Sequence, residues 1–228
     1  MQFDIFILFM HLAVFMEKIQ FELFGLQLLE PMALVMNLFL SVQSLIYYRL
    51  VKTRYNTDFS NAFSGFFLFF GISAFFGTWS HLFFNYWGLY GKIPGFTAAI
   101  IGICLLECAM LYLLIPKKQT IYLLSIWLIG LVIFALLLYK IDFLWIAVHT
   151  GIGIILFVGG TSLRAIVKGN NHYYFLFLGV ISMLLTLPIE LFNINLHPWF
   201  NHQDFSHIFM IITLFCFHKG IEQVTSVH

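Results

Sequence analysis

The chain has 228 residues, 61% of them hydrophobic and only 9% charged, with a formal net charge of +1. A mean hydropathy of +0.96 excludes a soluble globular domain. With 11 Lys and Arg against 10 Asp and Glu there is no basic surplus for a nucleic-acid partner.

The N-terminal piece, Phe3 to Met16, is apolar but is closed by Glu17 and Lys18 after only 14 residues, short of the roughly 20 that a helix needs to cross hydrocarbon. Asp4 stands where a signal peptide carries positive charge, and no small-residue cleavage site follows. Residues 1–26 therefore read as an interfacial segment, a helix at headgroup level that carries His11. Seven longer apolar stretches follow, approximately Gln27 to Tyr48, Ser60 to Tyr86, Gly95 to Ile115, Thr120 to Tyr139, Ile141 to Val167, Tyr173 to Ile194 and Asp204 to Lys219. The expected fold is an all-α seven-transmembrane bundle over residues 27–220, with a short tail over 221–228.

Lys and Arg are retained in cytoplasmic loops. The first loop carries Arg49, Lys52 and Arg54, the third Lys117 and Lys118, the fifth Arg164 and Lys168, and the C-terminal end Lys219. The other side has Lys18, Lys92 and Lys140. This bias puts the N-terminus outside (periplasmic, extracellular or lumenal) and the C-terminus in the cytoplasm.

With that orientation, polar residues inside the spans collect on one side. Helix 1 begins with Glu30, helix 2 reaches His81 near its outer end, helix 5 brings His149 inward from the outside, helix 6 ends with Glu190, and helix 7 starts with Asp204 and His207. Titratable groups are costly in lipid, so a shared depth points to a common cavity. The segment before helix 7, His197-Pro-Trp-Phe-Asn-His202-Gln-Asp204-Phe-Ser-His207, is the densest such run. Neutral imidazoles beside carboxylates suit zinc, which leaves its fourth position to water in catalytic sites. Asp204 and His207 lie about 60° apart on a helix, whereas His202 and His207 lie about 140° apart; His202 can join them only from a loop or an irregular first turn. Asp204 has a structural alternative as the third residue of a capping box begun by Asn201. Around His81, Gly77, Thr78 and Asn85 share its face and Ser80 lies beside it. A hydroxyl there would steady a developing oxyanion, or simply serve close helix packing.

These features resemble the CREST superfamily, the seven-helix membrane hydrolases that include alkaline ceramidases, progestin and adiponectin receptor-type proteins and hemolysin III-like proteins. In that family a Ser-x-x-x-His on helix 2 and a His-x-x-x-His on helix 7 supply three zinc ligands, and an Asp positions the water. The resemblance implies Zn²⁺ and hydrolysis of a ceramide-like lipid amide within the bilayer. His81 matches the helix-2 ligand and His207 a helix-7 ligand. Gly77 stands where the family has Ser, the helix-7 spacing is His202-x-x-x-x-His207, and no Asp follows His81 before helix 3.

Two function classes stay open. The first is a zinc-dependent lipid hydrolase with His81, His202 and His207 on the metal, Asp204 or Glu190 as base, and Ser80 or Thr78 at the oxyanion. The second is a non-enzymatic seven-helix protein, either a proton-linked transporter using Glu107, His149 and Glu190 or a receptor-like binder. Glu107 lies mid-membrane between Cys104 and Cys108; these and Cys216 read as buried thiols without metal-type pairing. Pro188 is expected to kink helix 6. No phosphate loop, serine triad or mid-helix-7 lysine is present. The expected partners are the membrane and a lipid substrate, with no nucleic acid.

Overall fold

The computed structural model describes residues 19–114 and 119–226. The expected interfacial helix over Phe3 to Met16, with His11, lies outside them, as do Lys117 and Lys118. Where the description begins, the chain is not helical. Gln20–Leu23 (β1) and Leu26–Leu29 (β2) form an antiparallel hairpin in which Gln20 faces Leu29 and Leu23 faces Leu26. Phe24 and Gly25 turn the corner with φ of 52° and 77°. Two successive positive φ values are what a tight two-residue hairpin requires, and Gly25 adopts its value without steric cost.

The hairpin displaces the start of the first span. It begins not at Gln27 but at Pro31, whose fixed φ suits a first helical position. Seven helices long and apolar enough to cross a membrane follow, and the protein is an all-α integral membrane bundle. They are α1 (Pro31–Arg54), α2 (Asp58–Leu82), α3 (Ile93–Leu114), α4 (Thr120–Tyr139), α5 (Phe143–Val167), α6 (Asn171–Leu191) and α7 (His202–Thr225). A helical turn Phe84–Trp87 and a 3-10 turn Gly88–Lys92 lead into α3.

Local chemistry fixes the ends. Thr57 caps α2 in a reciprocal box with Ser60, and Asp142 caps α5 by accepting from the Leu144 N–H at 3.0 Å. Its carboxyl, outside the span, is held below the usual carboxylate range by that N–H and by Lys140. Helix α6 breaks at Leu185, between Tyr174–Leu184 and Thr186–Leu191. Pro188 cannot donate to Leu184, four residues back, which is where the regular helix stops.

The core is aromatic. Phe63 packs edge-on against Phe66 and Phe217, with centroids 5.7 and 5.8 Å apart, joining α2 to α7. Helices α1 and α2 approach closely at Gly71, whose carbonyl accepts from the Ser41 hydroxyl at 2.8 Å. A small residue at that point is what lets the backbones meet. Helix α4 is peripheral, burying only Ile126, Gly130 and Leu137. The antiparallel run of the helices brings the starts of α1, α3, α5 and α7 and the ends of α2, α4 and α6 to the end of the bundle that carries the hairpin. At the far end, Glu222 of α7 accepts from Arg54 at 2.9 Å and from Lys219 at 2.7 Å.

Candidate functional site

The hairpin end gathers the polar groups of α1, α2 and α7. Glu30 sits between β2 and α1 with φ of 50°, a left-handed conformation that costs a non-glycine residue about 1 kcal/mol. Its N–H donates to the Ile19 carbonyl at 3.0 Å, and its side chain is buried at 6% exposure. The buried carboxylate reaches the last turn of α2, where its Oε2 accepts from His81 Nδ1 at 2.7 Å. Seven residues beyond Glu30, two turns along the same face of α1, Asn37 is also buried.

Helix α7 supplies the facing groups. His207 Nδ1 donates to the Gln203 carbonyl one turn back at 2.5 Å. Its Nε2 lies 3.3 Å from Asn37 Oδ1, while the Asn37 amide nitrogen donates to Ala33 O at 2.9 Å. Both ring nitrogens thus face oxygens that only accept, so a neutral ring donates to one of them and keeps its lone pair toward the other. Gly77 of α2 makes the room, because a Cβ there would lie 3.2 Å from Asn37 Oδ1.

Asp204 has two roles at once. The Asn201 side chain accepts from the Asp204 N–H at 3.2 Å, and Asp204 Oδ2 accepts from the Asn201 N–H at 3.1 Å, closing the capping box. The other oxygen, Oδ1, is buried and has no hydrogen-bond partner. Asp204 lies within charge–charge range of Glu30, His81 and His202, and His207 within that of His81. Polar groups of α1, α2 and α7 therefore meet at this end of the bundle.

Several sequence expectations need correction. His202 does not join His81 and His207; it faces Asn195 Oδ1 at 3.1 Å and Glu190 Oε2 at 3.7 Å, on the rim. It lies at the first residue of α7, and a turn of roughly 140° from His207 directs it to the α6–α7 loop. Glu190 accepts from Ser206 at 2.7 Å, so its partners are rim groups. The Ser80 hydroxyl donates to Gly77 O at 3.0 Å and that of Thr78 to Ala74 O at 3.2 Å. Both are spent on their own helix. Asn85 lies past the end of α2 and donates to the Gln27 carbonyl at 3.4 Å, bracing the hairpin. His197 is exposed and accepts from the Trp199 N–H at 3.2 Å.

A second group lies inside the bundle. Among the described residues, the one trio whose ligand atoms all come within 4.8 Å of one another is Cys104, Glu107 and His149. His149 is thus not an accessory of the outer cavity, and Cys104 is not an isolated thiol. Nothing in the spacing of α3 or α5 says which faces meet, so the sequence grouped Glu107 with His149 as proton-linked residues and set Cys104 beside Glu107 without joining Cys104 to His149. Asn37 was missed altogether. Its signal was an amide on an apolar helix in step with Glu30. A cavity of about 430 Å³ lined by Phe76, Trp79, Trp87, Tyr90, Gly91 and Pro94 is apolar and lies on the opposite side of α2 from His81.

The fold and its polar cluster define a polytopic α-helical membrane protein with a buried imidazole–carboxylate site at one end. Residues 32–226 match the family of unknown function DUF6962, and the chain belongs to that family. No curated protein and no solved structure matches it.

Proposed function

We propose that the protein is a zinc-dependent hydrolase of lipid amides, of the ceramide-like class, working at the hairpin end of the bundle. One observation carries this reading. His81 and His207 are each anchored through Nδ1, to a carboxylate and to a backbone carbonyl respectively, which is how ligating histidines are oriented from their outer shell. That leaves His81 Nε2, with His207 Nε2 opposite Asn37 Oδ1 at 3.3 Å, and Asp204 Oδ1 has no partner. Two imidazole nitrogens and one carboxylate oxygen would meet at a zinc and its water after drawing together, since these atoms do not all lie within 4.8 Å of one another.

The donor chemistry suits zinc held by His81 and His207, with Asp204 Oδ1 beside the bound water and His202 left on the rim. Bound zinc supplies water with a pKa of about 7. The protein's own groups do the rest. Glu30 orients His81, and the Gln203 carbonyl orients His207. Asp204 is the group placed to take a proton from the attacking water and return it to the leaving amine. Hydrolysis then breaks the amide C–N bond, gives the water oxygen to the acyl carbon and releases a fatty acid and an amine. The acyl chain would lie among the Phe-rich helices, and the Lys and Arg of the far end support a cytoplasmic placement of that end, with the site facing the other side.

A proton-linked transporter remains the second reading, favoured by the buried His149–Glu107 pair at 3.7 Å. Glu190, its third expected group, is engaged instead by Ser206 and His202. Metal analysis of detergent-purified protein separates the readings. The hydrolase predicts bound zinc that falls by one equivalent in His81→Ala and in His207→Ala. Equal zinc in wild type and both folded variants would overturn it.

A further inference from the structure

We infer that Cys104, Glu107 and His149 form an intramembrane binding site for a divalent cation of the zinc class, separate from the hairpin-end cluster. The two sites share no residue or helix: one is built on α1, α2 and α7, the other on α3 and α5 with α4 packed over it.

The argument begins with burial. Cys104, Glu107 and His149 are 0%, 3% and 2% exposed, and neither ring nitrogen of His149 has a hydrogen-bond partner. A buried imidazole with both nitrogens unsatisfied needs an explanation, because a polar atom without a partner is costly in lipid. Glu107 does not satisfy it, since His149 Nε2 and Glu107 Oε1 are 3.7 Å apart, too far for a hydrogen bond.

That distance does suit a shared ion. With metal–nitrogen and metal–oxygen bonds of about 2.0–2.2 Å and a metal–sulfur bond of about 2.3 Å, tetrahedral ligands stand roughly 3.3–3.6 Å apart. The trio lies within 4.8 Å throughout, so a small inward movement assembles it. Charge points the same way: a thiolate and a carboxylate neutralise a divalent cation, which leaves no net charge in the low-dielectric interior. A ligand set of sulfur, nitrogen and oxygen selects borderline cations such as Zn²⁺ over Mg²⁺ or Ca²⁺.

The neighbouring backbone is cleared for the site. A Cβ on Gly130 of α4 would lie 2.5 Å from Cys104 Sγ, and one on Gly153 of α5 would lie 3.3 Å from Glu107 Oε1. One turn past His149, α5 widens into a π-helix over Ile152–Gly159, a distortion often found beside functional groups.

Cobalt(II) tests this, because only the inner trio contains sulfur. The full-length protein is expressed with cobalt in place of zinc and its absorption recorded in detergent. The site predicts a thiolate-to-cobalt charge-transfer band with tetrahedral d–d bands in wild type. The charge-transfer band is lost in Cys104→Ser and retained in His207→Ala. His149→Gln should weaken cobalt retention by more than about tenfold, the scale on which even outer-shell partners act. Circular dichroism confirms that each variant is helical. A folded wild type without the charge-transfer band, meaning that Glu107 and His149 only share a proton, would overturn the inference, and so would a band that survives Cys104→Ser. Either result leaves the hairpin-end reading to stand or fall on its own zinc equivalent.

Discussion

Glu30 Oε2 and His81 Nδ1 lie 2.7 Å apart, tying the first residue before α1 to the last turn of α2. The carboxylate reaches the imidazole because the backbone at Glu30 turns left-handed, with φ of 50°, and because the hairpin holds its N–H. Strain accepted at a buried acid that orients a histidine is the mark of a site under geometric constraint.

Replacing Glu30 by Gln keeps the shape and removes the charge. We expect lipid-amide turnover to fall by about 10–100-fold, the usual effect of losing a ligand-orienting carboxylate. Glu30→Gly should relieve the backbone strain, yet lose turnover just as far. Kinetics and thermal unfolding of both variants check this. Full activity in Glu30→Gln would show that the pair only braces the fold.

Asp204 combines a cap with a free oxygen, and two substitutions divide these roles. Asp204→Asn retains an oxygen that can accept from Asn201, so stability should change little while turnover falls by more than about 100-fold, as expected for a proton-transfer group. Asp204→Ala also removes the reciprocal bond from the Asn201 N–H, at an added cost of about 1 kcal/mol. Thermal unfolding beside fatty-acid release reads both. Equal unfolding temperatures for the two variants would contradict the capping role.

At the position of Gly77 the superfamily that the sequence resembles has Ser, and introducing it here is expected to harm. A Cβ there meets Asn37 Oδ1 at 3.2 Å, and Asn37 in turn faces His207. Gly77→Ser and Gly77→Ala should therefore lower turnover to similar extents, whereas a gain in Gly77→Ser alone would mean that the hydroxyl works as it does in that superfamily. Ser80→Ala, whose hydroxyl is spent on the helix, should stay within about fivefold of wild type, since a single backbone hydrogen bond is worth only about 1 kcal/mol.

The pH dependence of stability has one contributor with a clear sign. The Asp142 carboxyl is lowered by the Leu144 N–H first and by Lys140 next. A lowered folded-state pKa gives stability that is present above the unfolded value and lost as pH falls through the folded one. Wild type should therefore lose more stability than Asp142→Asn between neutral and acid pH, as thermal unfolding across that range would show. Parallel curves would rule this out.

The sequence carried the architecture further than the site. Length and hydropathy located all seven spans, because the bilayer imposes one length scale on every crossing segment. The hairpin was hidden: strands β1 and β2 are only four residues each, and their alternation merges into the apolar run of α1. The Phe24-Gly25 turn was its one local signal. At the site, His81, Asp204 and His207 were legible because titratable groups stand out in an apolar chain. Helix rotation was not, so the rim position of His202, the link between Asn37 and His207, and the meeting of Cys104 with His149 all had to come from packing.

The most direct measurement is fatty-acid release from a ceramide-like lipid amide by zinc-loaded, detergent-purified protein at neutral to alkaline pH, comparing wild type with His207→Ala. The hydrolase reading predicts release by wild type and its loss in the folded variant. No release by zinc-loaded wild type, or undiminished release by His207→Ala, would contradict it.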